Sequence, residues 1–275
     1  GARISLEPVL MELIDIGANL AHDSFDDDRD DVLERAQSSG VTRMVVTGSS
    51  DASNRRAAEL VDTYPGVLYS TAGVHPHHAA DYNDAADALI RRLAERDSVV
   101  AVGECGLDYF RNFSPRDDQL RAFRSQLEIA VDTGKPAFLH QRDAHDDFVE
   151  VLELFLPRLT RAVAHCFTGE HESLREYLGM GLYIGITGWI CDERRGRHLY
   201  EIADAIPDDR LMIETDAPYL LPRTLRPKPK TRRNEPAWLP EVLRIVAEAR
   251  GQSIEHVAAI TTANAERFFG LPPGS

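Results

Sequence analysis

Short apolar runs alternate with longer amphipathic stretches along this chain, in eight successive pairs between Leu13 and Phe269. The runs predict strands at Leu13–Ile16, Arg43–Thr47, Leu68–Ala72, Val99–Gly103, Pro136–Leu139, Ala162–Ala164, Tyr183–Ile186 and Leu211–Ile213. Most are apolar or β-branched throughout, which is how strands covered on both faces read. Between them, the spacing predicts helices at Asp28–Ser39, Asp84–Arg96, Arg116–Thr133, Ala144–Phe155, Glu172–Met180, Arg197–Ala205, Leu239–Arg250 and Ile254–Phe269. In Arg116–Thr133, for example, Leu120, Phe123, Leu127 and Ala130 share one face, and Gly134 supplies the stop. Strand–helix alternation of this kind predicts a parallel sheet, and eight units closing on themselves make an α/β fold of the TIM-type (β/α)8 barrel. An open doubly wound sheet is the alternative, but its nucleotide signatures, GxGxxG or GxxxxGK[ST], do not occur.

The 275 residues suit one such domain over 11–275, because these barrels commonly take roughly 250 residues. Residues 1–10 show neither a basic start nor a following apolar stretch. They read as an extension or an expression remnant rather than a signal peptide. No apolar run reaches the length of about 18 residues that a membrane helix needs, so no membrane partner is expected. Cys105, Cys166 and Cys191 are too few and too scattered for a disulfide framework or a CxxC site, which suggests a reducing cytoplasm. With 31 Lys+Arg against 45 Asp+Glu the formal charge is −14. That balance argues against coating nucleic acid through global charge.

Barrel enzymes take their active-site residues from the C-terminal ends of the strands. Asp15 stands near the end of the first run, with Gly17 and Asn19 beyond it. His75, His77 and His78 follow the third, Glu104 the fourth, His140 the fifth and His165 the sixth. Glu214 and Asp216 follow the eighth. Polar ligand-type residues therefore follow six of eight strands, on the one face where they can converge. Any single histidine there reads as an ordinary hydrogen-bonded residue, but the set does not. Burying several carboxylates and imidazoles together is costly without a cation. Oxygen and imidazole donors without thiolate suit Mg²⁺, Mn²⁺ or Zn²⁺.

GECGLD (Gly103–Asp108), HCFTG (His165–Gly169) and ETDAPYLLPR (Glu214–Arg223) carry a more specific likeness. With GVHPH (Gly73–His77), RDAH (Arg142–His145), GITGW-CDERRG (Gly185–Gly196) and RRNEPA (Arg232–Ala237), the chain resembles the TatD family of metal-dependent deoxyribonucleases over nearly all of Leu13–Leu271. Within that family it resembles the magnesium-dependent 3′→5′ exonuclease branch. The resemblance implies a barrel of the metal-dependent hydrolase type, with metal ligands at Glu104, His140, His165 and Asp216. Many members begin with an H-x-H pair after the first strand. Here Gly17 and Asn19 stand in its place, and glycine cannot ligate. A site for Mg²⁺ that keeps several waters fits this departure better than a permanent zinc-like pair.

The resemblance also implies roles. Glu104 would bridge ions, and Asp216 would serve as both ligand and general base, accepting the proton of the attacking water. Glu214 would orient a ligand or be simply structural. Asn19 would ligate weakly or touch the terminal nucleotide, and His75 would contact phosphate or protonate the leaving oxygen, unless it is a loop histidine held beside Pro76. Arg142 would reach a phosphate unless it pairs with Asp143 or Asp146; His77 and His78 would lie at the rim. Trp189, Phe110, Tyr109 and Tyr219 fall in mouth loops, where aromatic rings can stack on unpaired bases or simply pack. Arg223–Arg233 holds six basic residues in eleven and reads as a strand guide or as solvated surface. Cys105 and Cys166 are expected to turn away from the mouth by strand alternation.

The expected function is thus a monomeric, cytoplasmic, metal-dependent exonuclease acting on 3′ ends of single-stranded DNA or RNA. The alternative is another hydrolase on the same scaffold, an aminoacyl-tRNA deacylase or an amidohydrolase. The missing H-x-H pair, and the lack of a lysine placed for carbamylation after strand four or five, argue against the amidohydrolase. A metal-poor barrel acting only as a binding partner is disfavoured by the four intact ligand positions.

Overall fold

A computed structural model of the chain describes residues 11–274; the segment read as an extension, 1–10, lies outside the described residues. Strands β1 (Leu13–Ala18), β2 (Val41–Val46), β3 (Leu68–Ala72), β4 (Val99–Asp108), β5 (Ala137–Arg142), β6 (Ala162–Ala164), β7 (Tyr183–Ile186) and β8 (Leu211–Ile213) pair in chain order, all parallel. The sheet rolls until its two edges meet. Asp216 N donates to Gly17 O and Asn19 N to Ala217 O, both at 2.8 Å, so β1 closes against the segment leaving β8. The expected eight-stranded barrel is the fold observed.

Helices α1 (Arg29–Ser38), α2 (Asp51–Thr63), α3 (Asp84–Ala94), α4 (Arg116–Thr133), α5 (His145–Phe155), α6 (His171–Gly179), α7 (Arg197–Ile202), α8 (Leu239–Arg250) and α9 (Ile254–Phe269) accompany the strands. The helix α2 is absent from those the sequence pattern predicts. Its apolar side is short and alanine-rich (Ala57, Ala58, Leu60 and Val61 are buried) and its start is fixed by hydroxyls instead. Ser50 Oγ accepts from Ser53 N while Ser53 Oγ accepts from Ser50 N, a reciprocal cap.

Strand alternation divides the core. Ile14, Ile16, Val45, Val100, Phe138, Val163 and Met212 fill the barrel interior, while Leu13, Met44, Leu68 and Ile184 face the helices. The end of α9 closes the N-terminal mouth, with Phe268 edge-on to Tyr183 at 5.0 Å. That leaves the C-terminal mouth as the open end.

Strands β1, β4 and β5 run past the ends that their apolar patterns predict, β1 only by Gly17 and Ala18. β4 continues through Glu104 to Asp108 and β5 through His140 to Arg142, in register Gly106↔His140 and Asp108↔Arg142. The register slips between Gly103 and Cys105, leaving Glu104 in a bulge, a device that re-aims a side chain beside functional sites. Gly106 (φ +150°) makes the extension possible, because a Cβ there would lie 1.8 Å from His140 O.

Candidate active site

At the open mouth, Asn19, His75, Glu104, His140, Arg142, His165 and Asp216 all line one cavity of about 670 Å³. The sequence-predicted residues come from β1, β3, β4, β5, β6 and β8, yet the barrel brings all seven together. His77, His78, Asp108, Cys166, Trp189 and Tyr219 complete much of its wall. The floor is Phe138, whose ring stacks beneath His165 at 4.5 Å.

Glu104 is the centre of this arrangement. Its Oε2 lies in very short contact with His165 Nε2, 3.3 Å from His140 Nδ1 and 3.7 Å from His75 Nε2. Each of the first two histidines has its other ring nitrogen held by a further carboxylate. His165 Nδ1 is 2.9 Å from Glu214 Oε1, and His140 Nε2 is 2.9 Å from Asp108 Oδ2. A histidine with one nitrogen facing a shared acidic group and the other fixed by a carboxylate is the arrangement found around metal ligands. Two groups have donor atoms within 4.8 Å of one another: His75, Glu104 and His140, and His165, Glu214 and Asp216.

Asp108 was not among the predicted site residues. It is buried and accepts from His140 and from His77 Nε2 (3.3 Å). Its signal was the even spacing of Glu104, Gly106 and Asp108, which puts 104 and 108 on one side of a strand that continues. Glu214, left open as orienting or structural, is fully buried and outside the cavity wall. Besides its contact with His165, it accepts from Cys166 N. A Cβ on Gly185 would lie 2.4 Å from its Oε2, so only glycine leaves room for this carboxylate.

The electrostatics follow from burial and pairing. Burial pushes the Glu104 carboxyl up, but the charge on His165 and hydrogen bonds from His140 and His165 hold it well below the usual range. His165 moves the other way: burial would lower it, yet Glu104 and Glu214 raise it well above an ordinary imidazole. His140 is likewise raised, against its burial, by Asp108 and Glu104. Burial lowers His75 to about 3, so it is neutral at ordinary pH. Its Nδ1 accepts from the His77 backbone N–H (3.0 Å), which leaves the proton on Nε2. Asp216 is raised to about 7, chiefly by burial, with Glu104 and Glu214 adding to it against His165.

The last strand end is held from β1. Asp15, fully buried, accepts from Thr215 N (3.0 Å), Thr215 Oγ1 (2.5 Å) and Gly17 N (3.2 Å). Asn19 Nδ2 donates to Asp216 Oδ1 (3.1 Å) and Ala217 O (3.0 Å). The amide nitrogen of Asn19 is thus committed to the Asp216 carboxylate and the Ala217 carbonyl. Asp216, Cys166 and Asp143 all sit at left-handed φ (55°, 47° and 52°), and such strain in non-glycine residues gathers at functional sites.

One expectation is corrected. Cys166 does not turn away: its left-handed backbone breaks the strand alternation and places it in the cavity wall, 3.5 Å from Thr187 Oγ1. Cys105 is buried as expected. Of its two readings, packing holds for Tyr109, with Arg116 over its ring and its hydroxyl donating to Asp147. The basic run Arg223–Arg233 contributes nothing to the cavity wall. Arg223 is bound to Glu193 and Arg233 to Asp28, each by two short hydrogen bonds. Arg142 does not pair with Asp143 or Asp146; its guanidinium lies 3.8 Å from the centre of the Phe110 ring.

Comparison with known proteins gives the family and agrees with the fold. The family model described as TatD related DNase matches residues 14–270. A relative from Erwinia billingiae, described as 3′-5′ ssDNA/RNA exonuclease TatD, is 50% identical over 260 residues, covering 94% of this chain and all of that protein. The crystal structure of a TatD homolog from Escherichia coli K12 superposes with a TM-score of 0.87 at 26% identity, over 96% of this chain and 100% of that one. A hydrolase TatD family protein from Entamoeba histolytica gives 0.84 at 27% identity, over 95% and 99%.

Proposed function

Because the chain belongs to the TatD related DNase family, we propose that it removes nucleotides from the 3′ ends of single-stranded DNA or RNA by divalent-metal-dependent phosphodiester hydrolysis, as its curated relatives' descriptions suggest. The observation that carries this reading is the convergence of His140 and His165 on one oxygen of Glu104, each oriented from behind by its own carboxylate. Glu104, His140, His165 and Asp216 would hold the ion or ions. A donor set of carboxylate and imidazole without thiolate fits Mg²⁺, with Mn²⁺ or Zn²⁺ as substitutes. Such an ion, when bound, acidifies water and offsets charge on the phosphate.

The chain's own residues do the rest. Asp216, in the cavity wall, is placed to accept the proton of the attacking water. Asn19 keeps that carboxylate aimed. Neutral His75 presents its Nε2–H as a donor toward a phosphate oxygen, which suits positioning rather than proton donation from an imidazolium. Arg142 offers a guanidinium from the cavity wall to a phosphate of the strand. Asp108 and Glu214 hold the imidazole planes. One chain carries every one of these groups, so a monomer suffices, and three free cysteines fit a cytoplasmic site of action.

The decisive assay gives purified protein a 3′-labelled single strand with Mg²⁺, beside a panel of esters and amides. Mononucleotide release that EDTA abolishes and Asp216→Asn removes, in a variant with unchanged circular dichroism, is the expected result. Turnover of an ester or aminoacyl-tRNA without nuclease activity would overturn it.

A further inference from the structure

Among the described residues, four large hydrophobic side chains stand out in solvent, and three of them are aromatics at this mouth: Phe110 (51% exposed), Phe113 (64%) and Tyr219 (53%). Such exposure is costly unless the surface is used. Phe110 and Phe113 are not isolated. The Arg111 guanidinium lies 5.6 Å from the Phe110 ring centre and 6.0 Å from that of Phe113. Arg142 lies 3.8 Å over Phe110 and 6.0 Å from Trp189, and Arg195 lies 4.4 Å over Trp189. Arginine and aromatic groups therefore alternate along one rim, from the loop after β4 across the end of β5 to the loop after β7.

The belt is continuous with the catalytic groups. Phe113 packs edge-on to His77 at 4.8 Å, and His77 packs on His75 at 4.2 Å, beside Glu104. Its far end is held firmly: Asp192 accepts from Arg195 Nε (2.9 Å) and from the backbone N–H groups of Arg194 and Arg195, while Trp189 Nε1 donates to Arg195 O. An exposed cation–π contact is weak, so a nucleobase can take the ring face while the arginine turns to the adjoining phosphate. Rings at successive positions with a cation between them form the pattern that holds single strands without reading sequence.

We propose that this belt is the subsite for the nucleotides immediately 5′ of the scissile phosphate, with Phe113, Phe110 and Trp189 stacking on successive bases and Arg111, Arg142 and Arg195 meeting the phosphates between them. It rests on the exonuclease reading above and assigns the residues that would hold the strand for several nucleotides behind its end. The chain's formal charge of −14 gives the belt a further consequence. Strand capture depends on local contacts, because the molecule as a whole repels phosphate.

The test measures equilibrium binding of fluorescein-labelled oligothymidylates of two to eight nucleotides in EDTA, where no hydrolysis occurs. Strands whose second to fourth residues from the 3′ end are abasic serve as the comparison. Wild-type affinity should climb with length to about five nucleotides, and abasic replacement should weaken it about tenfold per stacked base. Phe110→Ala with Phe113→Ala should erase most of the gap between base-bearing and abasic strands, and Phe110→Tyr with Phe113→Tyr should restore it. Equal binding of base-bearing and abasic strands by the wild type, or an unchanged gap in the alanine variant, would overturn the belt. Nucleotide release with Mg²⁺ in the absence of any base-dependent gap would sink the belt and leave the exonuclease reading. A base-dependent gap without nucleotide release would do the reverse.

Discussion

The side chains behind the site are as informative as those lining it. Asp15 is buried completely, and burial raises its carboxyl to about 7 although Thr215 and Gly17 hydrogen bonds oppose the rise. In the unfolded chain an aspartate releases its proton near pH 4. Between about 4 and 7 the folded form therefore holds a proton that the unfolded form has lost, and stability falls as pH rises through that window. In EDTA, urea titrations should show wild type losing ground to Asp15→Asn from pH 4 to 7, at up to about 1.4 kcal/mol per unit, and parallel behaviour above 7. A gap that does not change with pH would show that Asp15 is ionised throughout. Glu214 makes a different prediction. Glu214→Gln keeps a group beside His165 Nδ1 but removes the charge that raises it. Metal affinity should drop about 10- to 100-fold, measured by the Mg²⁺ concentration at half-maximal activity, while saturating metal recovers much of the rate. Loss of activity that no metal concentration relieves would point to a misfolded pocket instead.

At the scale of elements, the sequence pattern located strands well and their ends poorly. β3, β6, β7 and β8 have the bounds that their apolar runs predict. β4 and β5 do not, because apolar character stops at Gly103 and Leu139 while backbone pairing continues to Asp108 and Arg142. Pairing needs only close approach, which Gly106 supplies, so hydrophobicity could not report it. For the same reason Asp108 was invisible as the partner of His140, and Cys166, judged by alternation, was placed on the wrong side of a backbone that turns left-handed there. The helix α2 escaped because alanine and serine caps carry little hydrophobic periodicity. The residues at strand ends were legible because a barrel converts eight chain positions into one ring. Gly106 tests the argument: in Gly106→Ala the new methyl meets His140 O, so β4 and β5 must separate and Asp108 loses His140. Stability should fall by about 1–3 kcal/mol, as overpacking does, and activity should fall further than stability explains. Normal nuclease activity in that variant would show that the β4–β5 extension does not position the site.

For the whole molecule, the acidic balance and the basic run Arg223–Arg233 pull in opposite directions, and the structure weighs them. Two of the six basic side chains in that run are neutralised by Glu193 and Asp28, and none stands in the cavity wall. What remains near the strand's path is the trio Arg111, Arg142 and Arg195, the last held by Asp192 through its Nε. Neutralising Z phosphates of a single strand gives a slope of log K against log salt of about −0.7Z, so three contacts predict a slope of about −2 for a five-nucleotide strand. Arg111→Ala combined with Arg195→Ala should reduce that to about −0.7. Lys228→Ala, Lys230→Ala and Arg232→Ala together should leave it near −2, because those residues serve the surface rather than the mouth. If the loop variant flattens the slope and the rim variant does not, phosphate capture belongs to the loop. Either result should leave duplex DNA poorly bound, since a chain with 45 acidic and 31 basic residues repels phosphate overall. A single strand gains entry because its end needs only a narrow rim of cations, and there the aromatic rings supply what net charge withholds.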